Sequence, residues 1–177
     1  MANEKAKLVR RSQKVAFYGV PGTDGAEPEE FKRMEHFTSL SESKNPETYE
    51  RKYVDKDSKD SDVTGYGTAL DYAFDHHQND PVLKDIAAIH DDELMGEVRT
   101  LVTVDLFNKG DATAENEYVA RKRGFSILPD SSGDGTDALQ YSGSFAVKTE
   151  SVKGYAKVSA DGKTCTFSEK PSEDIGA

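Results

Sequence analysis

Tryptophan is absent from these 177 residues, and cysteine occurs once, at Cys165. A single thiol excludes an intrachain disulfide and any cysteine-based zinc site. No apolar run approaches the ~20 residues that a membrane-spanning helix needs, so an integral membrane protein is not expected. The start, MANEKAKLVRRSQK, is basic but has no apolar stretch after it, which does not fit a secretory signal.

Catalytic signatures are missing as well. There is no G-x-S-x-G and no nucleotide-binding fingerprint. Gly162-Lys163-Thr164 superficially suggests a phosphate loop, but the glycine required five residues earlier is Lys157, and a strand pattern follows instead of a helix. Asp130-x-Ser132-x-Asp134-Gly135 resembles the opening of a calcium loop, yet its twelfth position is Tyr141 rather than a bidentate Glu, so it reads as a Gly-rich turn. Asp75-His76-His77 offers metal-ligand chemistry, but neighbouring strand residues point to opposite faces and cannot easily hold one ion together. It reads as a polar strand end, and His36 and His90 as half-exposed structural residues. No catalytic residue, metal site or cofactor is expected, and the chain does not read as an enzyme.

What is present is charge and alternation. Asp and Glu outnumber Lys and Arg by 33 to 23, a net charge of −10. The first 14 residues run against this trend, with five cations against Glu4. This basic arm (1–14) is either a solvated tail or a strap for an acidic neighbour. An acidic body argues against a surface that grips DNA.

Period-two patterning dominates the rest. Leu139, Tyr141, Phe145 and Val147 share one face of a strand, with Gln140, Ser142, Ser144 and Ala146 behind. Val98, Val102, Val104 and Leu106 share a face in 97–107, as do Tyr66, Leu70, Tyr72 and Phe74 in 64–74. Further strands are expected at 14–19, 32–43, 47–55 and 117–127, and the runs 152–159 and 163–168 make a hairpin through Asp161-Gly162. Turns are expected at 21–29, 43–46, 108–116 and 129–137, and a mobile, mixed-charge loop at 55–62. One helix breaks the pattern, over about 80–94: Val82, Leu83, Ile86, Ile89 and His90 follow helical spacing, Asn79 or Asp80 caps it, Pro81 suits its first turn and Gly96 stops it. The fold class is therefore mainly β, a β-sandwich or partly open barrel of about eight or nine antiparallel strands with one flanking helix. One domain is expected over 15–168, with a loose tail at 169–177.

The stretch 32–55 reads as a long hairpin that is polar on both faces. Such a hairpin gains little by folding alone and becomes stable when its edges pair, for instance with the same hairpin on neighbouring copies.

The phrases SKNPETYERKYV, TGYGTALDYAFD and NDPVLKDI, followed by EVRTLVTVDLF and ALQYSGSFAVKTESVKGYAKV, are similar to those of bacteriophage major tail (tail tube) proteins over roughly residues 10–168. The resemblance implies a viral structural protein of the virion tail, assembled in the bacterial host cytoplasm. It implies homohexameric rings stacked into a tube, with DNA passing through during ejection without specific binding. It also implies tape-measure, tail-terminator and distal-tail proteins as partners. Within that expectation, Glu35, Glu42, Glu47 and Glu50 are lumen candidates. Arg10, Arg11, Asp55, Asp57, Asp60 and Asp62 are candidates for ring-to-ring contacts, and Arg121, Lys122 and Arg123 for charge pairing between subunits. The competing expectation is a monomeric β-sandwich that binds carbohydrate or a surface, which the lack of Trp weakens.

Overall fold

Alternation translates into strands almost everywhere. The computed structural model describes residues 6–22, 25–133 and 136–169. It contains β1 (Lys14–Tyr18), β2 (Phe31–Arg33), β3 (Phe37–Ser43), β4 (Pro46–Arg51), β5 (Asp60–Tyr66), β6 (Ala69–Asp75), α1 (Pro81–Asp91), β7 (Val98–Asp105), β8 (Glu117–Ser132), β9 (Gln140–Val147), β10 (Val152–Val158) and β11 (Thr164–Glu169). Nine strands form one antiparallel sheet in the order β10-β11-β2-β1-β7-β8-β9-β6-β3, and β4 pairs with β5 in a separate ribbon. Among the described residues the protein is thus mainly β with one α-helix.

The chain divides into two compact units, built from 1–35, 99–124 and 149–177, and from 36–98 and 125–148. In the first unit the sheet closes on itself. The order β10-β11-β2-β1-β7-β8 returns to its start because β8 also pairs with β10, from Val152↔Lys122 to Lys157↔Glu117. Closure leaves this ring without open edges. Val15, Phe17, Phe31, Val102, Val104, Ala120, Ala156, Val158 and Cys165 form one buried cluster drawn from all six strands. Each large apolar side chain of this kind contributes about 1.5–3 kcal/mol when fully buried. Asp105, itself buried, is neutralised by Lys14 Nζ at 3.6 Å and Arg121 at 3.3 Å.

The second unit is a four-stranded sheet of β3, β6, β9 and the Phe125–Ser132 half of β8, together with α1 and the β4–β5 ribbon. Asp80 caps α1 by accepting from the amides of Val82 (2.9 Å) and Leu83 (3.4 Å), and Pro81 occupies the first turn, where its missing N–H costs nothing. The helix buries Val82, Leu83, Ile86, Ala87 and Ile89.

Several boundaries differ from expectation. The helix ends at Asp91 because Glu93 turns to φ 50°, before Gly96 is reached. The expected strand 32–43 is two strands, broken where His36 takes φ 63°. The expected strand 64–74 is likewise divided, at Gly67-Thr68. Residues 129–132 are strand rather than turn, with Pro129 beside a register shift where a missing N–H is tolerated. The last three residues of the expected 55–62 loop are strand, since β5 starts at Asp60.

The hairpin expected over 32–55 is also paired differently. β3 pairs with β6, from Phe37↔Phe74 to Ser43↔Ala69, and β4 pairs with β5, from Pro46↔Tyr66 to Arg51↔Asp60. The two arms are therefore 37–51 and 60–75, and the turn between them is 52–59 rather than 43–46. Polar residues on both faces carry no register signal, which is why the pattern alone misplaces the turn.

Candidate assembly surface

Register assigns every residue of the second unit's sheet to a face. Leu40, Tyr72 and Gly143 are cross-strand partners, as are Leu70 with Phe145 and Phe74 with Tyr141. Tyr72, Phe74, Tyr141, Phe145, Phe125 and Ile127 are buried on this side. Their rings pack closely: Tyr72 lies 4.5 Å from Phe145, and Phe74 is stacked 5.4 Å from Tyr141.

The opposite face has another chemistry. β3 contributes Ser39, Ser41 and Ser43, and β6 contributes Ala69, Asp71, Ala73 and Asp75. β9 adds Gln140, Ser142, Ser144 and Ala146, and β8 adds Ser126, Leu128 and Ser131. Small hydroxylic and apolar side chains alternate with two carboxylates, and these strands place no lysine or arginine there. Ser131 and Ser142 hydroxyls lie 2.7 Å apart, and the Gln140 amide donates to Asp75 at 2.9 Å, so the face is cross-linked laterally.

This sheet also has two distinctive edges. β3 is the last strand of the order, paired with β6. In β8 the Ile127 amide donates to the Glu97 carbonyl, just ahead of β7, so Leu128–Ser132 continues past the start of that strand.

The ribbon β4–β5 extends the same pair of arms. Every residue of β4 is exposed, and Val63, Tyr66, Tyr49 and Tyr53 are each about half exposed or more. Val54 at the turn is fully exposed. Arg51 lies over the rings of Tyr49 (5.8 Å) and Tyr53 (6.0 Å), and Lys56 over Tyr53 (5.8 Å).

The expected site residues are scattered over these features. Glu35 is half-buried between β2 and β3. Glu42 shares a side with Leu40 and Leu70 and is paired with Lys44. Glu47 and Glu50 are on β4, with Glu50 3.5 Å from Lys59. Asp55 and Asp57 are in the 52–59 turn, whereas Asp60 and Asp62 are on β5, with Asp60 bound to Lys56 at 2.7 Å. Arg10 and Arg11 are exposed at a short 3-10 turn, Arg11–Gln13, and residues 1–5 of the arm lie outside the described residues. Arg121 is engaged by Asp105, Lys122 lies over Phe167, and Arg123 donates to the Thr149 carbonyl. Asp134 and Gly135 of the calcium-like motif, and 170–177 of the expected tail, lie outside the described residues.

The four histidines do not converge on one point. His36 and His77 stack at 4.0 Å, His77 Nδ1–H donates to the Asp75 carbonyl, and His76 Nδ1 is buried without a hydrogen-bond partner. Among the described residues no three His, Cys, Asp or Glu side chains are grouped to hold a metal ion. His90 is a residue that sequence reasoning undervalued. It bonds to Tyr72, and its place on the apolar stripe with Val82, Leu83, Ile86 and Ile89 was the available signal.

No protein-family model matches the chain, and no curated protein matches it. Among solved structures it is similar to a chain of the anti-feeding prophage (AFP) baseplate, determined by cryo-electron microscopy and 6-fold symmetrised, with 6% identity over 84% of this chain and 97% of that one and a TM-score of 0.45.

Proposed function

We propose that the chain is a structural, non-enzymatic subunit of the tail tube of a phage or phage-tail-like particle, and that its copies assemble into hexameric rings stacked around a DNA conduit. The observation that carries the reading is the two-sided sheet of β3, β6, β9 and β8. Aromatic rings fill one face, and the other is a field of Ser, Ala and Asp. Such a wall presents no cation to phosphates, so DNA slides past it instead of sticking. On this reading Asp71 and Asp75 face the lumen in place of Glu35 and Glu42.

Edge strands invite pairing with another chain. The outer side of β3 on one copy and the Leu128–Ser132 segment of the next are the two edges to be joined. Six copies of a four-stranded sheet close a barrel of about 24 strands, and barrels of roughly 16–18 already leave an aqueous channel. The projecting ribbon, the 52–59 turn and the basic arm with Arg10 and Arg11 supply ring-to-ring contacts. Tape-measure, terminator and distal-tail proteins are the corresponding partners in a virion tail.

Negative-stain microscopy and sedimentation of the purified full chain at high concentration test the reading. Rings or tubes are expected. Monomers and dimers alone, across salt and concentration, reject it. A second reading, a monomeric carbohydrate- or surface-binding module, draws on the half-exposed Tyr49 and Tyr53; glycan-array binding by a stable monomer favours it.

A further inference from the structure

Two adjacent side chains tie the last turn of α1 to the sheet. The Tyr72 hydroxyl on β6 is hydrogen-bonded to His90 Nε2 at 2.7 Å, and the Tyr141 hydroxyl on β9 donates to both oxygens of Asp91 at 3.1 and 3.2 Å. Both tyrosines are buried, and the His90 ring meets them edge-on at 6.1 Å and 5.2 Å.

The groups bearing on His90 come from four elements: Asp91 from its own helix, Tyr72 from β6, Tyr141 from β9 and Asp130 from β8. Burial, the largest effect, lowers the imidazole pKa, while Asp91 and Asp130 pull it upward. Burial and Asp130 also keep the Tyr72 phenol protonated, so its hydroxyl has a proton to give. The helix end carries its own strain. Leu94 donates to the Ile89 carbonyl at 3.1 Å and Glu93 to that of His90 at 3.3 Å, a cap that normally uses glycine but here holds Glu93 at φ 50°.

We propose that His90 and Tyr72 form a proton-sensitive clasp on the end of α1: the neutral imidazole accepts the Tyr72 hydroxyl and seats the last helical turn, whereas the imidazolium can only donate Nε2–H to the phenol oxygen, which strips the buried Tyr72 proton of its acceptor and lets that turn lift. Lifting exposes His90 to water and removes the burial penalty on its charge. Asp91 travels with the same turn and continues to favour the cation. The buried Val82, Leu83, Ile86 and Ile89 hold the body of the helix in place, so the lift is confined to the turn from His90 onward.

The direction follows from linkage. The seated state has the lower imidazole pKa, so seating is fully favoured above the open-state value of about 6.5 and is lost as pH falls through it. The open population rises tenfold for each unit that separates the two states.

Amide hydrogen exchange on the full chain in dilute solution tests the clasp, and its outcome is independent of whether the protein builds tubes. In the wild type, protection of residues 90–94, corrected for intrinsic exchange, falls on acidification below about 6.5, while 82–89 stays protected. Tyr72→Phe keeps the ring and removes the donor, so the same segment is already fast at neutral pH and an NMR titration shows the His90 pKa moving up. His90→Gln keeps an acceptor that does not titrate and holds the segment protected throughout. A wild-type segment whose protection does not change with pH, or a His90→Gln chain that retains the acid step, overturns the proposal. The wild-type titration alone decides if either variant fails to fold.

Discussion

Asn45 and Gly67 clip the two arms of the ribbon together from both sides. The Gly67 amide donates to the Asn45 carbonyl, and the Asn45 side-chain amide donates back to the Gly67 carbonyl, each at 3.0 Å. The clip sits where β3 gives way to β4 and β6 to β5, and Asn45 adopts φ 40° there. Asparagine tolerates this left-handed conformation better than other non-glycine residues.

Asn45→Ala loses the side-chain bond and leaves an alanine in a conformation it disfavours, at a combined cost of about 1–3 kcal/mol. The loss is local. Amide exchange in 46–66 should accelerate while the barrel cluster around Phe17 stays protected. Asn45→Gly keeps the backbone geometry and should lose only the smaller part. Equal acceleration in both units contradicts the assignment.

Gly154 is fixed by space rather than by torsion. A Cβ there would lie 2.2 Å from the Ser168 carbonyl oxygen and 2.7 Å from the Phe167 ring. The first contact is backbone of the paired strand and cannot rotate aside. Gly154→Ala should therefore destabilise by about 1–3 kcal/mol, as overpacking does, by prising β11 from β10. Denaturant melts measure it, and an unchanged midpoint refutes the contact.

These sites show what the sequence could and could not disclose. The helix was legible because Asp80, Pro81 and the Val82–Ile89 stripe state the same thing locally. Apart from β2, which the sequence pattern runs together with β3, the barrel strands were legible because one face of each is apolar. The ribbon was not, since Thr48, Tyr49 and Glu50 are exposed on either side and no buried face fixes their register. The run Pro129-Asp130-Ser131-Ser132 has the composition of a turn, yet pairing with β9 carries it on as strand. The smooth face was visible as Gln140, Ser142, Ser144 and Ala146, but its match with Asp71 and Ala73 depends on long-range pairing that spacing does not reveal. The glutamates expected at the lumen share only their charge and their hairpin, and register puts Glu42 on the side of Leu40 and Leu70.

Cys165 should be chemically silent in the folded chain. It is buried in the barrel cluster, and burial, helped by Glu30, pushes its thiol up to about 12. The reactive thiolate is thus scarce as well as inaccessible at neutral pH. A disulfide-exchange reagent at pH 8 should label the native protein far more slowly than the denatured one, at a rate that tracks opening of the β10–β11 pair. Rapid stoichiometric labelling of folded protein contradicts the burial.

The turn at the ribbon tip separates folding from assembly. Arg51↔Asp60 is the last register pair before it, and the intervening 52–59 include the exposed Tyr53, Val54 and Lys56. Replacing these residues by Asn-Gly closes the same pair with a two-residue turn suited to antiparallel strands. The replacement touches no buried side chain and shortens a loop, so subunit stability should stay within about 0.5 kcal/mol or rise slightly. If the tip reaches a neighbouring ring, the shortened protein melts normally but fails to sediment as tubes, and it should arrest as single rings if β3-to-β8 closure is intact. Normal tubes from the shortened chain would exclude the tip from ring-to-ring contact and leave that role to the arm with Arg10 and Arg11.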